Sequence, residues 1–236
     1  MNENYKFIIA GAMRSGTTAL IDNIRFNSDF KKINNITSWL VDGGSLSIPE
    51  YEHLCGQAPY LMYVPSYVRR FYDNFPNVKI IICLRNPCSR AYSHYNHLVR
   101  KKHITDKSFY DLISDEIENR IDENREDPNT RRYHLVQRGF YYNQLKELLK
   151  YYSREKIHVV IQERMLENTE RVVGEVFDFL ETDKPLDLKY LSKKASKYKR
   201  MKPLEKDVLS EAYRKSNEDL FNLLGYRISE WGGKDV

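Results

Sequence analysis

The sequence predicts an α/β fold with a central, mainly parallel sheet flanked by helices. Three short apolar runs, at 6–11 (KFIIAG), 78–84 (VKIIICL) and 157–161 (IHVVI), have the composition of strands buried on both faces. Helix-like segments separate them, and strands alternating with helices build parallel sheets because each crossover returns the chain to the same edge. The segment 17–26 follows the first run directly, and 66–75 precedes the second. A helix over 86–100 follows it, and 141–152 (YYNQLKELLKYY) leads into the third run. In 168–181, Val172, Val173, Val176, Phe177 and Leu180 fall at helical spacing. The least regular stretches, 34–64 and 184–202, are expected to supply substrate and cofactor loops. No internal repeat is visible, and residues 1–236 are read as one domain.

Composition narrows the class without naming a function. The 236 residues carry 38 Lys+Arg against 33 Asp+Glu, a net charge of +5, with 41% hydrophobic residues and 18 Tyr. That apolar and aromatic content excludes collagen-like, low-complexity and disordered classes, and the length is ample for a real core. A surplus of +5 suits any anionic ligand, so its placement matters more than its sum. Cys55, Cys83 and Cys88 form an odd set with no CxxC, which argues against a disulfide framework and for a reducing, cytoplasmic compartment. No apolar window is long enough for a membrane span, and the N-terminal apolar stretch is too short for a signal peptide, so no membrane partner is expected.

Two turns carry the chemistry. The first strand runs into Gly11-Ala12-Met13-Arg14-Ser15-Gly16-Thr17-Thr18 and then a helix, a geometry that aims backbone N–H groups and the positive helix end at an anion. The two glycines have Walker A spacing, but Thr17 stands where that motif requires Lys, and the cation comes earlier, at Arg14. A plain strand-to-helix turn is the simpler reading of this octapeptide alone. The second strand ends in Arg85-Asn86-Pro87-Cys88-Ser89-Arg90-Ala91-Tyr92-Ser93-His94-Tyr95. A phosphoryl-transfer enzyme with a P-loop would want an acidic metal ligand near such a strand end; here there is Arg85, a bidentate donor to oxyanions. Ser93 lies two turns on, and the pair reads either as a second anion site or as a surface Arg and a capping Ser.

Together these motifs resemble the sulfotransferase family, in its bacterial and heparan-sulfate-type branch. The resemblance implies a three-layer P-loop NTPase-like fold and sulfuryl transfer from 3′-phosphoadenosine 5′-phosphosulfate (PAPS), which leaves adenosine 3′,5′-bisphosphate (PAP), with no metal required. It implies that Arg14, Ser15, Gly16, Thr17 and Thr18 hold the 5′-phosphosulfate, with Arg14 also catalytic, and that Arg85 and Ser93 hold the 3′-phosphate. Val64-Pro65-Ser66-Tyr67 and Arg138-Gly139-Phe140-Tyr141 resemble further elements of that branch. Lys194, Ala195, Ser196, Lys197 and Tyr198 resemble a late loop that closes over the nucleotide, although Ala195 and Ser196 replace the family's usual Gly and Arg. The basic run 189–202 then reads as a cationic lid, against the alternatives of a solvated loop or a nucleic-acid or membrane-surface patch.

One departure bears on catalysis. The Glu that serves as base in heparan-type enzymes aligns with Asn34, whose amide cannot take a proton. His97, one helical turn from Ser93, is the first replacement expected, and Asp42, Glu50 and His53 are lesser ones. Asp42, His53, Trp39, Tyr63 and Arg138 are the candidate acceptor contacts, and a small-molecule hydroxyl or amine is preferred over a polymer. The competing classes are a P-loop small-molecule kinase and a non-catalytic nucleotide- or nucleic-acid-binding module. Oligomeric state is not legible.

Overall fold

The computed structural model describes residues 5–34, 36–43, 46, 54–120, 124–183, 190–191 and 198–232. By internal packing the chain divides into two compact units, one of residues 1–84 and 147–194 and the other of 85–146 and 195–236.

The first unit holds the sheet. Its strands are β1 (Tyr5–Gly11), β2 (Lys31–Ile33), β3 (Leu54–Gln57), β4 (Lys79–Leu84) and β5 (Ile157–Ile161). They lie in the order β2-β3-β1-β4-β5, and every pairing is parallel. The three strands expected from sequence are β1, β4 and β5. Of the other two, β3 falls in the stretch 34–64 read as irregular and β2 lies just before it: β2 has three residues, and β3 (LCGQ) carries a Gly and no β-branched residue. Neither has a hydrophobic period of its own, so tertiary pairing makes them strands. From β1 the chain goes out to β2, returns to β3, then crosses to β4 on the other side of β1. That reversal is a switch point, where open parallel sheets bind ligands beyond the carboxyl ends of their strands.

Helices α1 (Thr17–Phe26) and α8 (Thr169–Leu180) share one core with the sheet. Leu20, Ile21 and Ile24 from α1 meet Val172, Val173, Val176, Phe177 and Leu180 from α8 over Phe7, Ile9, Ile81 and Cys83. The alternate strand residues Ile8, Ala10, Ile80 and Ile82 are equally buried, as expected for strands covered on both faces. Helices α2 (Ile36–Asp42) and α3 (Pro65–Asn74) pack through Trp39, whose ring meets the edges of Phe71 and Phe75 at 6.5 and 6.0 Å. The short α7 (Gln162–Glu167) follows β5 and buries Met165 in the α1–α8 core.

The second unit is helical. It contains α4 (Pro87–Arg100), α5 (Phe109–Asp115) and α9 (Pro203–Leu224), and α6 (Tyr141–Leu148) begins in it. Helices α3, α4 and α9 each open on Pro, whose missing N–H would have no partner there and whose fixed φ suits a helix start. Cys88, Ala91 and Leu98 pack with Phe109, Leu112, Ile113, Leu209 and Tyr213. A buried carboxylate organises the connection 135–139: Glu116, in a π turn, accepts the backbone N–H of Leu135, Val136 and Gln137 at 2.7, 2.8 and 2.8 Å. The fully buried Arg90 donates to the Leu135 carbonyl, and Tyr213 Oη donates to that of Val136 at 2.8 Å. A Cβ on Gly139 would lie 2.6 Å from the Tyr213 ring, so only Gly fits that approach. Among the described residues, no helix is long and apolar enough to cross a membrane.

All three cysteines are buried thiols. Burial pushes the Cys55 thiol up to about 12, against smaller opposing effects from Arg25 and Lys32, and pushes Cys83 further up. Since the thiolate is the nucleophile, Cys55 and Cys83 should resist a thiol reagent at pH 8 in the folded protein and react fully in denaturant. Peptide mapping after alkylation checks this, and rapid native-state labelling of either would contradict the core placement.

Candidate active site

One candidate anion site is the turn between β1 and α1. The end of β1 is pinned on both sides, since Ala12 N–H donates to the Cys83 carbonyl at 2.7 Å and Ala10 O accepts from Met62 N–H at 3.0 Å. Arg14 and Gly16 then take left-handed conformations, with φ of 71° and 83°. For Arg14 that conformation costs about 1–2 kcal/mol, the kind of local strain that concentrates at ligand-binding turns. Gly16 is the N-cap of α1, and no side chain caps this helix and no acidic residue sits in its first turn. The amides of Thr17, Thr18 and Ala19 therefore have no acceptor within the helix. Ser15 is wholly buried, and its hydroxyl has no hydrogen-bond partner among the described residues. An uncapped helix start, an orphaned hydroxyl and two left-handed residues fit an anionic phosphate or sulfate group.

Sequence reasoning missed the side chain that closes this turn. Gln57, the last residue of β3, donates through Nε2 to Thr17 Oγ1 at 2.8 Å and Thr18 Oγ1 at 3.1 Å. Its Oε1 accepts from Lys32 Nζ at 3.2 Å. Parallel register sets Gln57 beside Ile9, close to where β1 ends. A residue in a strand without a period gave no signal to find it by. Asn34, the position of the missing base, is exposed one residue beyond β2.

Another candidate anion site lies in the helical unit. Arg85 is half-buried, and its backbone is held by Tyr141, whose hydroxyl donates to the Arg85 carbonyl at 2.9 Å. Asn86 caps α4, its Oδ1 accepting from the N–H of Cys88 and Ser89 at 3.0 and 3.1 Å. Ser93 is buried on α4, and His97 is half-buried one turn further along. Arg100 Nη2 lies 3.3 Å from His97 Nδ1. A guanidinium can only donate, so that nitrogen accepts and the ring proton of neutral His97 sits on Nε2. Proton uptake at Nδ1 therefore requires Arg100 to let go. The late loop reaches α4 at Tyr198, whose ring edge meets Tyr92 at 5.5 Å, while Tyr92 Oη donates to the Arg200 carbonyl at 3.4 Å. Lys194, Ala195, Ser196 and Lys197 lie outside the described residues, as do Glu50 and His53.

The acceptor candidates separate by what they touch. Asp42 is exposed at the end of α2. Trp39 is 8% exposed and has the Arg70 guanidinium 4.8 Å over its ring, so its contacts are those of a core residue. Tyr63 is buried in the turn after β3. Arg138 is also buried, and its Nε and Nη2 donate to the Arg131 carbonyl at 3.3 and 2.9 Å, which explains an Arg at that position by loop architecture.

Comparison with known proteins decides the family. The sulfotransferase domain model matches residues 4–221. The chain belongs to the sulfotransferase family. The match runs through both compact units. Human heparan sulfate glucosamine 3-O-sulfotransferase 5 is 25% identical over 174 residues, covering 68% of this chain and 49% of the relative, and the mouse protein aligns to the same extent. The chain thus spans about half the length of the curated relatives it matches. Among solved structures, a sulfotransferase from Alicyclobacillus acidocaldarius superposes with a TM-score of 0.78 at 22% identity, covering 97% of this chain and 99% of that one. Mouse sulfotransferase SULT7A1 complexed with PAP gives 0.52 at 14% identity, over 77% of this chain and 60% of that one. These two likenesses speak to fold, the P-loop NTPase-like architecture of sulfotransferases, with the all-parallel sheet flanked by helices that the sequence predicts.

The Gly16 backbone gives a direct test of the turn. Gly16→Ala forces an L-residue to φ 83° and sets a Cβ 2.8 Å from Met165 Cε. It should cost about 1–2 kcal/mol of stability, read from the urea midpoint, and Gly16→Asn should cost less because Asn tolerates the left-handed region. Equal losses in the two variants would place the constraint in side-chain crowding instead.

Proposed function

We propose that this protein is a PAPS-dependent sulfotransferase acting on the hydroxyl or amine of a small-molecule acceptor. The observation that carries the reading is the β1–α1 turn, with its uncapped helix end, left-handed Arg14 and Gly16, and orphaned Ser15 hydroxyl. PAPS, when bound, supplies the sulfuryl group and carries a phosphate at each end of its ribose. Arg14, Ser15, Gly16, Thr17 and Thr18 hold the 5′-phosphosulfate, and Arg85 and Ser93 hold the 3′-phosphate. The late loop, 194–198, covers the nucleotide. All of it acts as one catalytic domain.

In this reading the chain's catalytic work is positioning and charge stabilisation. Arg14 and the amides of Thr17 and Thr18 stabilise negative charge developing on the leaving phosphate. His97 is the base that takes the acceptor proton, after Arg100 releases Nδ1. Asp42 and His53 are the acceptor-side residues in this reading.

Calorimetric titration of the full chain with PAP tests the cofactor assignment. Wild type should bind, and Arg85→Ala should lose about 1.5–3 kcal/mol, the range for a hydrogen bond to a charged group, with Ser93→Ala losing less. His97→Ala should retain PAP binding while its turnover with PAPS falls about 10²- to 10⁴-fold. Turnover is read by mass spectrometry as gain of one sulfuryl group, over a panel of small hydroxyl and amine compounds that also includes glucosaminyl saccharides. Binding of ATP in preference to PAP would overturn the proposal.

A further inference from the structure

The hydrogen bonds around Gln57 have a fixed direction, and that direction matters for an anion. The amide nitrogen of Gln57 offers two hydrogens and no lone pair. Its bond to Thr17 Oγ1 therefore makes that hydroxyl the acceptor and leaves the threonine its own hydrogen to donate elsewhere. The same polarity holds at Thr18 Oγ1. The opposite orientation of the amide is unfavourable, because it would set the NH₂ group against the Lys32 ammonium, which now donates to Oε1. Lys32 thus fixes which end of Gln57 faces α1. Thr17 is 5% exposed, so few other groups can set the direction of its hydroxyl.

We propose that Gln57 is a positioning residue that sets the donor polarity of the β1–α1 turn. Held by Lys32, it keeps the hydroxyl of Thr17, with support at Thr18, in the donor sense that a phosphate- or sulfate-class oxyanion needs. This rests on reading the turn as the 5′-phosphosulfate site. Gln57 acts through the threonines; its own role requires no contact with the nucleotide. A carboxylate at this position would reverse the arrangement. It would accept the threonine hydrogen, form an ion pair with Lys32, and add a negative charge beside the anion.

The test compares PAP binding by calorimetry in wild type, Gln57→Met and Gln57→Glu between pH 5 and pH 8. Thermal unfolding verifies that each variant is folded, and the retained Lys32 partner keeps the Glu variant folded. Gln57→Met, of similar length and without a donor, should weaken binding about 3- to 10-fold. Gln57→Glu should weaken it more than Gln57→Met at pH 8. Its deficit relative to wild type should shrink toward pH 5, as the carboxyl takes up a proton and regains a donor. The Met-to-wild-type ratio should stay flat with pH. A merely structural role for Gln57 predicts equal, pH-independent effects in both variants, and that result, or wild-type affinity in both, overturns the inference alone. Failure of wild type itself to bind PAP overturns the reading of the turn, and the inference with it.

Discussion

The pairing of β1 with β3 on one side and β4 on the other fixes where the chemistry of the first unit can be. Because both neighbours run parallel to β1, the carboxyl ends of the three strands meet at one edge of the sheet. The turn after β1 is tied there by Ala12 to Cys83, and Gln57 reaches it because its register position is beside Ile9. A register slip of one residue would turn Gln57 to the other face of the sheet and remove it from the threonines. The buried Ile, Val, Phe and Cys residues shared with α1 and α8 specify that register, so the core holds the position of the polar side chains at its edge.

How much of this was legible depended on whether a residue's role is written locally. Strands β1, β4 and β5 are apolar runs and declare themselves, as do α1 and α8 through their spacing. The glycines of the turn and Arg14 were legible because turn conformations and anion binding demand particular residue types in order. Gln57 was not, since its place beside Thr17 and Thr18 arises from pairing across a sheet, and LCGQ looks like loop. Trp39 and Arg138 show the converse. Trp39, an aromatic in an irregular segment, and Arg138, in a segment that resembles a family element, were candidate acceptor contacts, yet Trp39 packs on Phe71 and Phe75 and Arg138 donates to the Arg131 carbonyl. Residue type alone cannot separate a cation that meets a ligand from one that satisfies a buried carbonyl.

The helical unit shows how a buried charge serves architecture. Glu116 accepts three backbone N–H groups through its two carboxyl oxygens. Those bonds fix the connection 135–139, from which the chain enters α6 at Tyr141. Tyr141 then holds the carbonyl of Arg85. A carboxylate remote in sequence thereby supports the backbone from which Arg85 projects. Changes at Glu116 act on Arg85 through packing and hydrogen bonds, with no charge contact between the two required.

The two candidate anion sites differ in how their helix ends are used, and this accounts for their residue types. At α1 the N-terminus has no side-chain cap, and hydroxyl residues, Gly16 and the left-handed Arg14 surround it. At α4 the same groups are already taken, because Asn86 Oδ1 accepts from Cys88 and Ser89. An anion near that helix must be met by side chains, which calls for a guanidinium at 85 and a hydroxyl at 93 in place of exposed backbone. The modest surplus of +5 is consistent with this division. Arg14 adds one cation where the helix end is open, and Arg85 supplies another where Asn86 has closed it.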